Sequence, residues 1–436
     1  MKKLKVMTIL GTRPEIIRLS RTMALLDKHV NQVIVHTGQN YDYHLNEIFW
    51  NELELRKPDH FMNADRSSIG ATIGDIIKKS EEVMLKEKPD ALLVLGDTNS
   101  CLSAYIAKRL RIPIFHMEAG NRSFDLNVPE EINRRIIDHI SDFNLVYTEH
   151  ARRHLISEGL PHRRIYLTGS PMKEVLDYYS FKIKNSDALK RLNDQLKESQ
   201  SNVRLNTKDQ AENKNFENTG APILKNCKPN NYFLVSIHRE ENVDNKENLK
   251  KIITILNQLA KKYNLPIIVS THPRTRNKLE SLITNNQKTL IDTQIQFMKP
   301  FGFFEYIALQ KYAKCVLSDS GTISEESSIL YFPAISLRQS MERPEAQDTG
   351  SIILTGFEPE TVLSAIETVI FEFQDRSKSN DAKIKVSNIK NHIASDQLTY
   401  NSNMPMEYQI NNTSRRVLKL ILGNTKLSNK WWAIEE

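Results

Sequence analysis

The chain has 436 residues, which exceeds what one hydrophobic core usually serves, so two domains are expected. Its 60 Lys and Arg against 53 Asp and Glu are scattered among one another, which argues against a nucleic-acid partner and leaves a small anion such as a pyrophosphate as the expected one. No apolar run approaches the roughly 20 residues that a membrane-spanning helix needs, and Met1-Lys2-Lys3-Leu4 leads into a strand-like run instead of a signal segment, so a cytoplasmic protein with no membrane partner is expected.

In chain order, short β-branched runs at Lys5–Leu10, Gln32–Thr37, Ala91–Leu95, Pro113–His116, Asn144–Tyr147 and Arg164–Leu167 predict strands. Between them Pro14–Lys28, Ile69–Glu87, Asn99–Arg111, Glu130–Ser141 and Glu149–Gly159 carry apolar residues three and four apart, which predicts crossover helices. This alternation marks a parallel sheet, here a first α/β domain over residues 1–180. Residues 185–229 are polar and poor in aromatics, and read as a mobile insertion, partly helical near Asp187–Leu196. The alternation restarts with strands at Tyr232–Ile237, Pro266–Ser270, Ile295–Met298, Cys315–Leu317 and Ala334–Leu337. Helices are expected at Lys246–Tyr263, Phe304–Ala313, Ser324–Tyr331 and Pro359–Phe373, giving a second α/β domain over 230–375. A polar stretch, Asp375–Asn391, then precedes a segment over 392–436 whose Val417, Leu418, Leu420 and Ile421 are expected to dock as a helix. The expected fold is therefore α/β, with two doubly wound, Rossmann-like parallel sheets facing a cleft toward which the strands' carboxyl ends point.

Residues able to do chemistry gather at those strand ends. Gly11-Thr12-Arg13-Pro14-Glu15 follows the first strand, where a helix N-terminus with free N–H groups and the fork of Arg13 suits an anion, although an ordinary strand-to-helix turn reads the same way. Gly96-Asp97-Thr98, His116-Met117-Glu118-Ala119-Gly120 and Pro129-Glu130-Glu131 put acids at successive strand ends and a helix mouth. Singly, each acid suits a helix cap or the helix dipole; jointly they suggest acid/base chemistry. In the second half His238-Arg239 and His272 end strands, where a lone histidine is more often a satisfied polar residue. Ser320-Gly321 at a helix start would let backbone approach phosphates, Glu326 one turn on could accept from ribose hydroxyls, and Arg343 could reach a diphosphate or serve as a surface ion-pair residue. Cys101, Cys227 and Cys315 lack metal-ligand spacing and read as reduced thiols; no metal is expected.

The motifs GTRPE, GDT, HxEAG, PEExNR, HR, DSG…EE and ERPE, in this order, resemble the non-hydrolysing UDP-N-acetylglucosamine 2-epimerase family over both expected domains, excepting the insertion. The resemblance implies a glycosyltransferase-B-like architecture, a homodimer and interconversion of C2 epimers of a UDP-2-acetamido sugar without a cofactor. It implies that Asp97, Glu118 and Glu130 are catalytic carboxylates, with His238 and Arg18 beside them. Arg13, His238, Arg239, His272, Ser320, Gly321, Glu326 and Arg343 are then expected around the UDP-sugar. Arg18 stands where the family usually has lysine, and Asn40 with its neighbouring tyrosines departs from the stretch that forms an activating substrate site in bacterial relatives. With Ile17–Ser20 and Ser236–Val243, these features look more like the branch that converts UDP-2-acetamido-2,6-dideoxy-L-talose to UDP-N-acetyl-L-fucosamine for capsule or O-antigen synthesis. UDP-N-acetylglucosamine epimerised to UDP-N-acetylmannosamine is the alternative substrate pair. A UDP-sugar glycosyltransferase is the rival activity.

Overall fold

A computed structural model describes residues 3–38, 43–208, 226–243, 245–271, 291–387 and 404–431. Two sheets form, and every strand pair in both is parallel. The first contains β1 (Lys5–Leu10), β2 (Asn31–His36), β3 (His60–Phe61), β4 (Ala91–Leu95), β5 (Ile114–Ala119), β6 (Phe143–Val146) and β7 (Ile165–Leu167), in the spatial order β3-β2-β1-β4-β5-β6-β7. The second contains β8 (Phe233–Ser236), β9 (Ile267–Ser270), β10 (Ile295–Met298), β11 (Cys315–Ser318), β12 (Ala334–Ser336) and β13 (Ile353–Leu354), ordered β10-β9-β8-β11-β12-β13. Helices cover both faces of such sheets, so strands like β4 are buried end to end and read as unbroken apolar runs. The expected pair of parallel α/β sheets is present. The edge strands β3 and β13, each only two residues long, carry too little pattern to be read from sequence.

The chain divides into two compact units. The first comprises Met1–Ser180, Ser340–Thr349 and Met404–Glu436; the second comprises Phe181–Gln339 and Gly350–Asn403. In the first, the core runs through Met7, Ile9, Val35, Leu92, Val94 and Ile114. The C-terminal helix Thr413–Trp431 buries Val417, Leu418 and Ile421 and packs against the helix Arg13–His29. Thr413 Oγ1 donates to the carbonyl of Thr168 at 3.1 Å, and Ser414 N to Glu174 Oε2 at 2.8 Å. Gly169 has φ +79°, and a Cβ there would lie 2.6 Å from Ile410, so the approach of this segment requires glycine.

The core of the second unit runs through Phe233, Val235, Leu256, Ile267, Leu317 and Ile366. Of the expected insertion, residues 209–225 lie outside the described residues, but Ala188–Lys208 is one helix, longer than expected. Ala188, Leu192 and Leu196, four apart, are buried, and the helix packs against Phe303–Tyr312 with an Arg191–Glu305 ion pair. That stripe outweighs the polar composition from which mobility is expected. The helix Pro359–Ser387 likewise continues through the first part of the expected polar separator; residues 388–391 of that separator lie outside the described residues. Among the described residues no helix is long and apolar enough to cross a membrane.

Candidate active site

In the first unit strand order reverses between β1 and β4, the place where open α/β sheets take their ligands. The two loops there are Gly11-Thr12 and Gly96-Asp97-Thr98, and Glu15 ties them together. Its carboxylate accepts from Gly11 N at 3.0 Å, Thr12 N at 2.8 Å, Thr12 Oγ1 at 2.8 Å and Thr98 Oγ1 at 3.0 Å. Burial pushes this acid up to about 7 against the pull of those donors. The amides of Gly11 and Thr12, just before the helix, are thus taken by the chain's own carboxylate. Arg13 lies with its guanidinium carbon 5.8 Å from the Phe49 ring centroid.

Glu118 on β5 is held left-handed at φ +63°, at the register shift between Met117 and Ala119. For a residue other than glycine this costs on the order of 1–3 kcal/mol and persists only where the surroundings over-determine it. They do. Arg134 Nη1 donates to the Glu118 carbonyl at 2.6 Å, Arg18 Nη1 to its carboxylate, and Arg343 Nη2 to Oε1 at 3.2 Å. Burial opposes ionisation of Glu118, but the guanidiniums of Arg18, Arg343 and Arg134 outweigh it and hold the carboxyl down to about 2. Asp97 pairs with Arg134 Nη2, whose distance to Glu118 Oε1 is 3.5 Å. Burial pushes Asp97 up to about 6; Arg134 acts against this, while Glu118, Glu130 and Glu342 add to it. Two adjacent carboxylates are thus driven apart in proton affinity, the condition for one to act as acid where the other acts as base.

The neighbouring residues brace this pair. His116 Nε2 lies 2.7 Å from the Gly96 carbonyl, and its Nδ1 lies 2.9 Å from Asp138. Asp138 also pairs with Arg122 at 2.7 Å, all three side chains being fully buried. Asn133 Nδ2 donates to the Asp97 carbonyl at 2.9 Å. Glu131 is buried and accepts from Ser123 N and Arg135 Nε, a loop-fixing role. Glu130 is exposed and reaches Asp97 only as a nearby charge.

In the second unit the order reverses between β8 and β11, and the loops there carry His238-Arg239 and Asp319-Ser320-Gly321. Asp319 is the hub. Its carboxylate accepts from His238 N, Arg239 N and Asn242 Nδ2, each at 3.0 Å to Oδ2, and lies 3.1 Å from His238 Nδ1. Burial opposes its charge, but His238 and these donors hold it down to about 2. The His238 side chain stays half-exposed. Ser320 N donates to Ser318 Oγ at 3.1 Å and Thr322 N to Ser320 Oγ at 3.3 Å, so hydroxyls within this loop already satisfy two of the amides expected to serve phosphate. Glu326 is buried, and its Oε2 accepts from Gln310 Nε2 at 2.7 Å.

Asp97, Glu118, Arg18 and Arg343 are therefore brought together in the first unit, with Arg13 and Glu130 at the same strand ends. His238, Arg239, Ser320 and Gly321 share the equivalent place in the second, with Glu326 in the helix Ile323–Leu330. His272, and residues 39–42 of the stretch compared with the activating site, lie outside the described residues. Sequence reasoning did not single out Arg134, Glu15, Asp319 or Gln310. For Arg134 a signal existed: Glu131, Arg134, Ile137 and Asp138 are spaced three and four apart, one buried helix face that carries charge.

A family model described as UDP-N-acetylglucosamine 2-epimerase matches residues 24–388. A UDP-N-acetylglucosamine 2-epimerase of Methanocaldococcus jannaschii is 37% identical over 84% of this chain and 92% of its own length. A UDP-2,3-diacetamido-2,3-dideoxy-D-glucuronate 2-epimerase of Pseudomonas aeruginosa is 30% identical over 84% and 92%. Among solved structures, a UDP-N-acetylglucosamine 2-epimerase of Rickettsia bellii is 42% identical with TM-score 0.79, covering 99% of this chain and 100% of that one. The M. jannaschii enzyme in complex with UDP-GlcNAc and UDP is 30% identical with TM-score 0.76, covering 96% and 99%.

Proposed function

The chain belongs to the UDP-N-acetylglucosamine 2-epimerase family, and from that premise we propose that it inverts C2 of a UDP-2-acetamido sugar by eliminating and re-adding UDP. The observation that carries the reading is the pair Asp97 and Glu118, a part-buried and a buried carboxyl that meet at Arg134, the first pushed up by desolvation and the second held down by arginines. C2 has no neighbouring carbonyl, so its hydrogen must be made acidic by stretching the C1–O bond. A carboxylate then takes the C2 proton, that C–H electron pair becomes the C1=C2 bond of a glycal, and the C1–O pair leaves with UDP. Return of a proton to the opposite face and re-formation of the C1–O bond give the epimer with no net redox change. Guanidiniums suit the negative charge that grows on the departing phosphate. Arg13, His238, Arg239, His272, Ser320, Gly321 and Arg343 are assigned to the UDP-sugar, and Glu326 with Gln310 offers acceptors for ribose hydroxyls.

Two substrates are supported by different observations. The sequence features Arg18, the stretch around Asn40, Ile17–Ser20 and Ser236–Val243, taken together, favour UDP-2-acetamido-2,6-dideoxy-L-talose and a role in capsule or O-antigen synthesis. The names of the relatives at 36–38% identity favour UDP-N-acetylglucosamine. A cytoplasmic homodimer is the form proposed for either. Offering each nucleotide sugar to the purified protein in heavy water and reading the products by NMR decides between them. The expected product of the true substrate is the C2 epimer with deuterium at C2. Recovery of both sugars unchanged, or epimer without label, refutes the proposal.

A further inference from the structure

Arg134, which touches both acids, has been given no part in the reaction. It enters from the inner face of the helix Pro129–Ile140, is almost fully buried, and faces three acceptors. Nη1 donates to the carbonyl of the left-handed Glu118, while Nη2 pairs with Asp97 and stands 3.5 Å from Glu118 Oε1. The charges around the two acids are unequal. Glu118 faces Arg18 from the helix Arg13–His29, Arg343 from the segment Ser340–Thr349, and Arg134. Asp97 faces Arg134, which it shares, together with the acids Glu118, Glu130 and Glu342.

We infer that Arg134 is a positioning residue that couples Asp97 to Glu118, so that the pair carries one proton between them and enters each turnover with one acid protonated and the other ionised. The inference rests on the epimerase reading and deepens it. In the form that enters the forward turn the proton sits on Asp97, because Glu118 keeps two further cations of its own. In the forward turn the C2 proton passes to the Glu118 carboxylate and UDP leaves with the C1–O electron pair. Asp97 then gives its proton to C2 on the other face while UDP returns to C1. The pair ends with the proton on Glu118, the state suited to the reverse reaction, and exchange with water restores the form that enters the forward turn. Throughout, one arginine fork within reach of both carboxyls keeps its charge on whichever is ionised. Without it, Asp97 would hold its proton more tightly than its return to C2 requires, and Glu118 would lose the link to Asp97.

The test is a carbon-13 titration of the Asp97 and Glu118 carboxyls, assigned through Asp97→Asn and Glu118→Gln, in wild type, Arg134→Gln and Arg134→Lys. In wild type Asp97 should titrate well above Glu118; the reverse order, or both in the ordinary range, overturns the inference whether or not either variant folds. Arg134→Gln should move Asp97 up by about one pH unit or more, because it loses its cation, while Glu118 stays low on Arg18 and Arg343. Arg134→Lys should leave Asp97 within about half a unit of wild type, because the charge remains. It should still lower kcat about tenfold or more with KM little changed, because an ammonium cannot span both carboxyls. An unmoved Asp97 in Arg134→Gln, or full kcat in Arg134→Lys, overturns the proposal. Because the titrations need no turnover, they fail separately from the epimerase reading, which fails if wild type epimerises no UDP-2-acetamido sugar.

Discussion

Replacing Glu15 by Gln tests whether the acid that links the two loops at the first strand-order reversal carries the charge cost its surroundings imply. Its side chain is 1% exposed, and folding raises its pKa from 4.5 to about 7. An acid raised in this way binds protons more tightly in the folded state. Its contribution to stability is therefore fully present below about 4.5 and is lost as pH rises through about 7. At about 1.4 kcal/mol per unit, the gap is worth roughly 3 kcal/mol across that window. Glutamine keeps an acceptor for Gly11 or Thr12 but cannot ionise, so the variant lacks this slope. Asp97 slopes in the same direction, which is why the quantity to read is the difference between wild type and variant at each pH. Trp50 and Trp431 fall in the first unit, so tryptophan fluorescence during urea unfolding reports the unit that contains Glu15. Between pH 4.5 and 8 the wild type should lose about 3 kcal/mol relative to Glu15→Gln. A difference that stays constant within about 0.5 kcal/mol over that range refutes the reasoning.

Other consequences are sharper in outcome. Asp97→Asn and Glu118→Gln should each lower kcat by about two to four orders of magnitude while UDP affinity by calorimetry changes only a few-fold; near-normal turnover in both removes them as acid and base. Gly120→Ala places a Cβ 2.4 Å from the Ala151 carbonyl at a residue with φ +78°, so a loss of more than about 3 kcal/mol is expected in the same urea assay, and a loss under about 1 kcal/mol contradicts the packing. All three cysteines are buried, and burial pushes the thiol of Cys227 up to about 12 and those of Cys101 and Cys315 upward as well. The native protein should therefore react with a thiol reagent far more slowly than the urea-unfolded chain, and rapid native labelling would contradict that burial.

Which features of the molecule are legible in its sequence, and which are hidden there, follows from how far apart in the chain the deciding contacts lie. Strand runs such as Lys5–Leu10, Ala91–Leu95 and Ile295–Met298 are legible to the residue, because they are short and mainly apolar or β-branched between helical stretches, and Ala91–Leu95, buried on both faces, is apolar throughout. Helices such as Ile69–Glu87 and Lys246–Tyr263 are equally legible from a one-sided apolar stripe and a cap, Ser68 and Asn245 each accepting from a first-turn amide. The acids at strand ends could be found because strand order places loops after β1 and β4, and after β8 and β11, side by side, and alternation of strand and helix already points to such an order. The pairing of Arg343 with Glu118 spans 225 residues and that of Arg134 with Asp97 spans 37, and no local pattern records either. The left-handed backbone of Glu118 is hidden for the same reason. A glutamate has no intrinsic preference for that conformation, which is imposed by Arg134 on its carbonyl and by Arg18 and Arg343 on its carboxylate. The residue with the strongest claim to chemistry is thus the one whose geometry depends least on its own stretch of chain. Changing Arg18, Arg134 or Arg343, each distant in sequence, should disturb Glu118 more than changing Met117 or Ala119 beside it.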